Sequence, residues 1–155
     1  MMAMQLTDSM QTMYRVTDSG SAMGQGEAAI QATSLQPSLV LIEPDNSVRD
    51  ALAVLLREQG WRVIESGQGA DLDELLDRAG VIAVISESSL PGLEAADVLA
   101  QCSARSLPLV FTGHELPLQR AVDLIRMGAS DYLEKPFPQG RLLDLLNKLP
   151  GRQNR

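Results

Sequence analysis

"VISESSLPG", residues 84–92, closes an apolar run that begins at Val81 and carries it into a Pro-Gly turn. "VIAVIS", residues 81–86, has no polar alternation. That is the pattern of a strand buried on both faces, as in a parallel sheet covered by helices. At its carboxyl edge stands a lone acid, Glu87, with Ser86 before it and Ser88 and Ser89 after it. In open α/β sheets the functional crevice lies beyond the carboxyl ends of the strands. The glutamate is therefore delivered to the edge where chemistry is expected.

The same grammar repeats on either side. "SLVLIE" from Ser38, "WRVIES" from Trp61, "LPLVFT" from Leu107 and "DYLEK" from Asp131 read as further strands. Between them "NSVRDALAVLLREQG" places Val48, Ala51, Leu52 and Leu55 at helical spacing, with Asp45, Asn46 or Ser47 as cap and Gly60 as stop. "DLDELLDRAG", "GLEAADVLAQCSA", "PLQRAVDLIRMGA" and "QGRLLDLLNKL" read as four more helices, with Pro117 at the first turn of the fourth. Strict alternation of strand and helix means a parallel sheet with right-handed crossovers and helices on both faces.

Composition bounds the rest. The chain has 155 residues, 45% hydrophobic but 3% aromatic, so the core is aliphatic. The net charge of -7 argues against a nucleic-acid or anionic-membrane surface. No apolar run approaches the roughly 20 residues of a membrane span, and no signal peptide precedes the fold, so the cytoplasm is the default location. Cys102 is the single cysteine and reads as packing. Residues 1–36 hold six of the seven methionines and many Gln, Ser and Gly. They read as a flexible tail or linker, with residues 37–150 as the domain and 151–155 as a short C-terminal tail.

Four strand ends bring polar groups to one edge: Glu43, Pro44 and Asp45; Ser86 and Glu87; Thr112 and Gly113; Glu134, Lys135 and Pro136. Together with "SLPG", "LVFTGHE" and "GASDYLEKPF", these residues resemble a response-regulator receiver domain along its whole length. The resemblance implies a flavodoxin-like doubly wound sheet of order 2-1-3-4-5. It implies that Glu87 stands at the phosphoacceptor position, Thr112 and Tyr132 at the switch positions, and Lys135 at the lysine that pairs with a phosphoryl group. It implies a cis bond before Pro136 and an acidic Mg²⁺ pocket after the first strand, near Glu43 and Asp45.

The sequence departs from that pattern twice. Counting back four from Pro91 gives Glu87 where the family has aspartate, and Pro44 takes the second acidic position. A glutamate oxygen is displaced by roughly 1 Å, which can cost about 10²-fold in a positioned reaction. Mg²⁺ demands near-octahedral oxygen ligands, and proline offers no carboxylate. The expectation is a receiver without Mg²⁺ or another cofactor, not phosphorylated by the usual route. A Glu87–Lys135 pair then either holds a constitutive, activated-like conformation or is a relic without a switching role. The alternative is a phosphorylation-competent domain with Asp45 as substitute metal ligand and Glu87 as acceptor. A flavin-type cofactor binder fits poorly with so few aromatics. His114 reads as a solvated loop residue. Only "PGRQNR" follows the last helix, so output is expected through a protein partner, a homodimer or the N-terminal tail. Leu142, Leu143, Leu145, Leu146 and Leu149 exceed one narrow stripe and point to the fourth-helix to fifth-helix face for that contact.

Overall fold

The computed structural model describes residues 36–149. Apart from Gln36, the expected tails at 1–36 and 151–155 lie outside the described residues. The elements alternate as β1 (Ser38–Ile42), α1 (Asn46–Glu58), β2 (Arg62–Ser66), α2 (Leu72–Leu76), β3 (Val81–Glu87), α3 (Ala95–Ala104), β4 (Leu109–Gly113), α4 (Leu118–Arg126), β5 (Asp131–Glu134) and α5 (Gln139–Asn147). The strands pair in parallel in the order β2-β1-β3-β4-β5. This is the doubly wound, flavodoxin-like sheet expected from the alternation.

Side-chain alternation splits the core into two layers. Leu39, Leu41, Ala83, Ile85, Val110 and Leu133 face α1 and α5, where they meet Leu52, Leu56, Leu142, Leu146 and Trp61. Val40, Ile42, Val84, Leu109 and Phe111 face α2, α3 and α4, meeting Leu72, Leu76, Val98, Leu99 and Leu124. β1 is buried along its whole length, which is why it reads as an unbroken apolar run.

Three details differ from the sequence expectation. α2 is five residues long, because Asp71 enters it in a left-handed conformation (φ 58°) and Asp77 ends it. Pro117 stands at the N-cap of α4, one position before the first helical residue. The leucines of α5 are less spare than their number suggests: Leu142, Leu146 and Leu149 are buried, and Leu145 packs partly on the same layer. The apolar surface lies instead on α4 and its end. Of the four exposed large hydrophobics among the described residues, three are Leu118 (80% exposed), Ile125 and Met127.

Candidate functional site

The sheet's alternation dictates which side chains meet. Continuing each strand by two residues past its last inward side chain on the α1/α5 face leads from Leu41 to Glu43, Ile85 to Glu87, Val110 to Thr112 and Leu133 to Lys135. All four positions therefore fall on one face, beyond or at the carboxyl ends of four adjacent strands. Register completes the alignment, since Glu87 lies beside Thr112 and Thr112 beside Leu133. The Lys135 amide donates to the Gly113 carbonyl (2.8 Å), which carries the ladder to the lysine itself.

The result is a compact charge cluster. The Lys135 ammonium donates to Glu43 Oε1 and to Glu87 Oε1, both at 2.6 Å. All three side chains are at least nine-tenths buried. The second oxygen of each carboxylate is also engaged. Glu43 Oε2 accepts from the Asp45 amide (3.0 Å), and Glu87 Oε2 accepts from the Ser89 amide (3.1 Å) and the Ser88 hydroxyl (3.4 Å). Charge-assisted hydrogen bonds of this length are the strong ones. Burial alone would lower the Lys135 pKa, but the hydrogen bonds and charges of Glu43 and Glu87 outweigh it and raise the pKa above the ordinary lysine value.

Asp45 is turned to a different task. Its carboxylate accepts from the Val48 amide (3.0 Å) and caps α1. Pro44 has no side-chain donor atom. Among the described residues no three His, Cys, Asp or Glu side chains gather as a metal-holding group. A shallow cleft of about 310 Å³ opens over the cluster, lined by Glu43, Asp45, Glu87, Ser89, His114 and Lys135 among others. His114 lies exposed at its edge, as expected of a loop residue.

Thr112, beside Glu87 in register, is 1% exposed, and its carbonyl accepts from the Ser88 amide (2.8 Å). Tyr132 lies on the opposite face of the sheet, beside Phe111 in register and packed on the α3/α4 layer. Its hydroxyl is buried without a hydrogen-bond partner. The reason is Gly113. A Cβ there would lie 2.6 Å from Ser88 Oγ, 2.9 Å from the Tyr132 hydroxyl and 3.1 Å from Glu87 Oε2. The missing side chain is what lets the ring turn inward against the acidic cluster. Burial raises the Tyr132 pKa, with the Glu134 and Glu87 charges adding to it. The Leu116 backbone and the Lys135 charge offset only part of that rise.

The Lys135–Pro136 peptide bond is cis. Cys102 is fully buried, and burial pushes its thiol up to about 12, which makes it an inert packing residue. Sequence reasoning missed Arg49, whose guanidinium donates to the Glu43 carbonyl at 2.6 Å. It also missed Gly113 as the seat of the tyrosine. Gly113 carries no local signal, because it acts through contacts with distant positions, and Arg49, though close to Glu43 in sequence, has no motif to mark it.

Residues 39–147 match the family model of the response regulator receiver domain. The chain is 32% identical over 108 residues to the sensory transduction protein RegX3 of Mycolicibacterium smegmatis, covering 68% of this chain and 47% of that protein. It is 32% identical over 119 residues to the transcriptional regulatory protein FixJ of Azorhizobium caulinodans, covering 72% of this chain and 54% of that protein. The chain thus spans about half the length of these curated relatives. Its fold is similar to the crystal structure of a response regulator receiver domain protein from Clostridium thermocellum, with a TM-score of 0.69 over 76% of this chain and 97% of that one at 18% identity. Among the described residues no helix is long and apolar enough to cross a membrane.

Proposed function

The chain belongs to the response regulator receiver domain family, and from that premise we propose that it is an atypical receiver, held in one conformation by its own charges and signalling by protein contact. The observation that carries this reading is the direct bonding of Lys135 to both Glu43 and Glu87. In a receiver the lysine is the partner of an incoming phosphoryl group. Here Glu87, one methylene longer than aspartate, already meets it. The cluster acts as a lock that does without phosphate.

The donor set does not suit Mg²⁺. All four oxygens of Glu43 and Glu87 are engaged, two by the ammonium and two by backbone amides. Asp45 is spent on the helix cap, and Pro44 offers nothing. A divalent cation would have to displace an ammonium at 2.6 Å from two carboxylates and still find near-octahedral oxygen geometry. No cofactor is therefore assigned, and Tyr132 stays inward as part of the locked state.

Output passes through the α4 side of the α4–α5 face, and a second copy of the chain is its occupant. Leu118, Ile125 and Met127 are exposed there, and the alternating Arg120, Asp123 and Arg126 beside them are self-complementary in an antiparallel pairing of two α4 helices. Leu118→Glu with Ile125→Glu then shifts sedimenting dimer to monomer. A wild type that sediments as a monomer at all concentrations removes this occupant in favour of a different protein partner.

The phosphorylation reading is tested by intact-mass spectrometry after incubation with acetyl phosphate and Mg²⁺. The lock predicts no phosphoryl adduct on wild type. An adduct that disappears in Glu87→Gln would instead make the domain a phosphorylation-competent receiver.

A further inference from the structure

We propose that Arg49 is a positioning residue for the charge lock: it fixes the Glu43 end, and is itself aimed by Glu65 on edge strand β2 and by Gly67 just beyond it. The inference rests on the lock reading above and adds the part of the fold that controls it.

Glu43 is the first residue beyond β1, followed by a proline with no amide hydrogen. Its amide is anchored to the Ser66 carbonyl (2.9 Å). Its carbonyl accepts from Arg49 Nη1 at 2.6 Å. With the backbone held on both sides, the Glu43 carboxylate is set at its 2.6 Å bond to Lys135. Arg49 is equally constrained. Nη2 donates to Asn46 Oδ1 (2.6 Å), and Nε lies 3.5 Å from Glu65 Oε1. A planar guanidinium held in three directions has little freedom to point elsewhere. Glu65 in turn is held by Arg57 (3.0 Å). A continuous set of contacts thus runs from edge strand β2 through Arg49 to Glu43, Lys135 and Glu87.

Gly67 supplies the independent observation. A Cβ there would lie 3.0 Å from Arg49 Nη1. Gly67 is not among the left-handed glycines, so its backbone needs no glycine and the residue provides room. The atom it would meet is the end of a flexible side chain, so the guanidinium would yield. At 3.0 Å the guanidinium gives by a few tenths of an ångström, which lengthens its 2.6 Å bond to the Glu43 carbonyl and loosens the backbone that carries the carboxylate. The β2 edge, remote from the cleft, is therefore a second place from which the lock is set.

The test uses the full chain, labelled with ¹⁵N, and reads the hydrogen-exchange rate of the Lys135 ammonium protons. In wild type these protons are protected. Arg49→Met accelerates exchange by about tenfold or more, the scale of one lost charge-assisted bond, and Gly67→Ala accelerates it by a smaller factor. Arg49→Lys restores part of the protection, and Arg62→Met, an exposed charge on β2, leaves it unchanged. Trp61 fluorescence verifies that each variant is folded; if Arg49→Met is not, Gly67→Ala decides. Protected wild type with unchanged exchange in the folded variants overturns the role of Arg49 alone. An ammonium already unprotected in wild type overturns the lock and this inference with it.

Discussion

Replacing Lys135 with methionine removes the cation and keeps a similar length of apolar stem. Glu43 and Glu87 are then left facing each other at 3% and 8% exposure, each without its strongest partner. Removing one partner from a buried ion pair costs roughly 3–5 kcal/mol. The cleft above the cluster admits water, which places this case near the lower end, about 3 kcal/mol. With a urea slope of about 1.5 kcal/mol/M, the unfolding midpoint falls by about 2 M. Trp61 is the single tryptophan and is 2% exposed, so its fluorescence reports loss of the core directly. The companion variant is Glu43→Gln/Lys135→Met/Glu87→Gln. Its amide oxygens still accept from the Asp45 and Ser89 amides while the like-charge conflict is gone, so it recovers at least half of the loss. A single-variant loss below about 1 kcal/mol, the range of exposed ion pairs, would refute the claim of a buried, energetically strong cluster. A triple variant as unstable as the single one would assign the loss to packing of the lysine stem.

Three further outcomes follow from the same geometry. Gly113→Ala forces the Tyr132 ring out of its inward position, because the new methyl would stand 2.9 Å from the hydroxyl and 2.6 Å from Ser88 Oγ; iodide quenching of tyrosine emission in a Tyr14→Phe background rises, and unchanged quenching would contradict the inward seat. Tyr132→Phe removes a buried hydroxyl that has no partner, so stability in urea is unchanged or gains up to about 1 kcal/mol, whereas a hydroxyl engaged in a strong bond would cost that much or more. The folded pKa of Lys135 is raised, so its stabilising contribution is complete below the unfolded value of about 10.4 and is lost as pH climbs through the folded value; the urea midpoint of wild type, relative to Lys135→Met, declines only above about pH 10.4, and a gap that widens there would reverse the sign.

Much of this was legible in the residues. β1 and β3 declared themselves because both faces are buried, leaving no polar alternation to confuse with an exposed strand. The charge cluster was foreseeable from parity: Glu43, Glu87 and Lys135 each continue the α1/α5-facing series of its own strand. α2 was overestimated because Leu72, Leu75 and Leu76 carry helical spacing, while the left-handed entry at Asp71 and the early stop at Asp77 have no strong local signature. α5 misled in another way. Its leucines are numerous, but the helix lies deep enough between sheet and solvent to bury Leu142, Leu146 and Leu149 and half-bury the others. The roles of Gly67 and Gly113 could not be read locally, since each depends on what a distant segment places beside it; Arg49 is close to Glu43 in sequence but has no motif to mark it.

The central claim is that Lys135 bonded to Glu43 and Glu87 leaves the site deaf to metal and phosphate. The most direct test is a backbone amide NMR titration with Mg²⁺ followed by beryllofluoride, on wild type and on Pro44→Asp/Glu87→Asp. The account predicts that wild-type amides at Glu43, Glu87, Thr112 and Tyr132 stay in place, while the double variant, with two family-type carboxylates restored, responds. Wild-type shifts at those amides that extend to Tyr132 would contradict it, and would make the domain a switch thrown by phosphorylation.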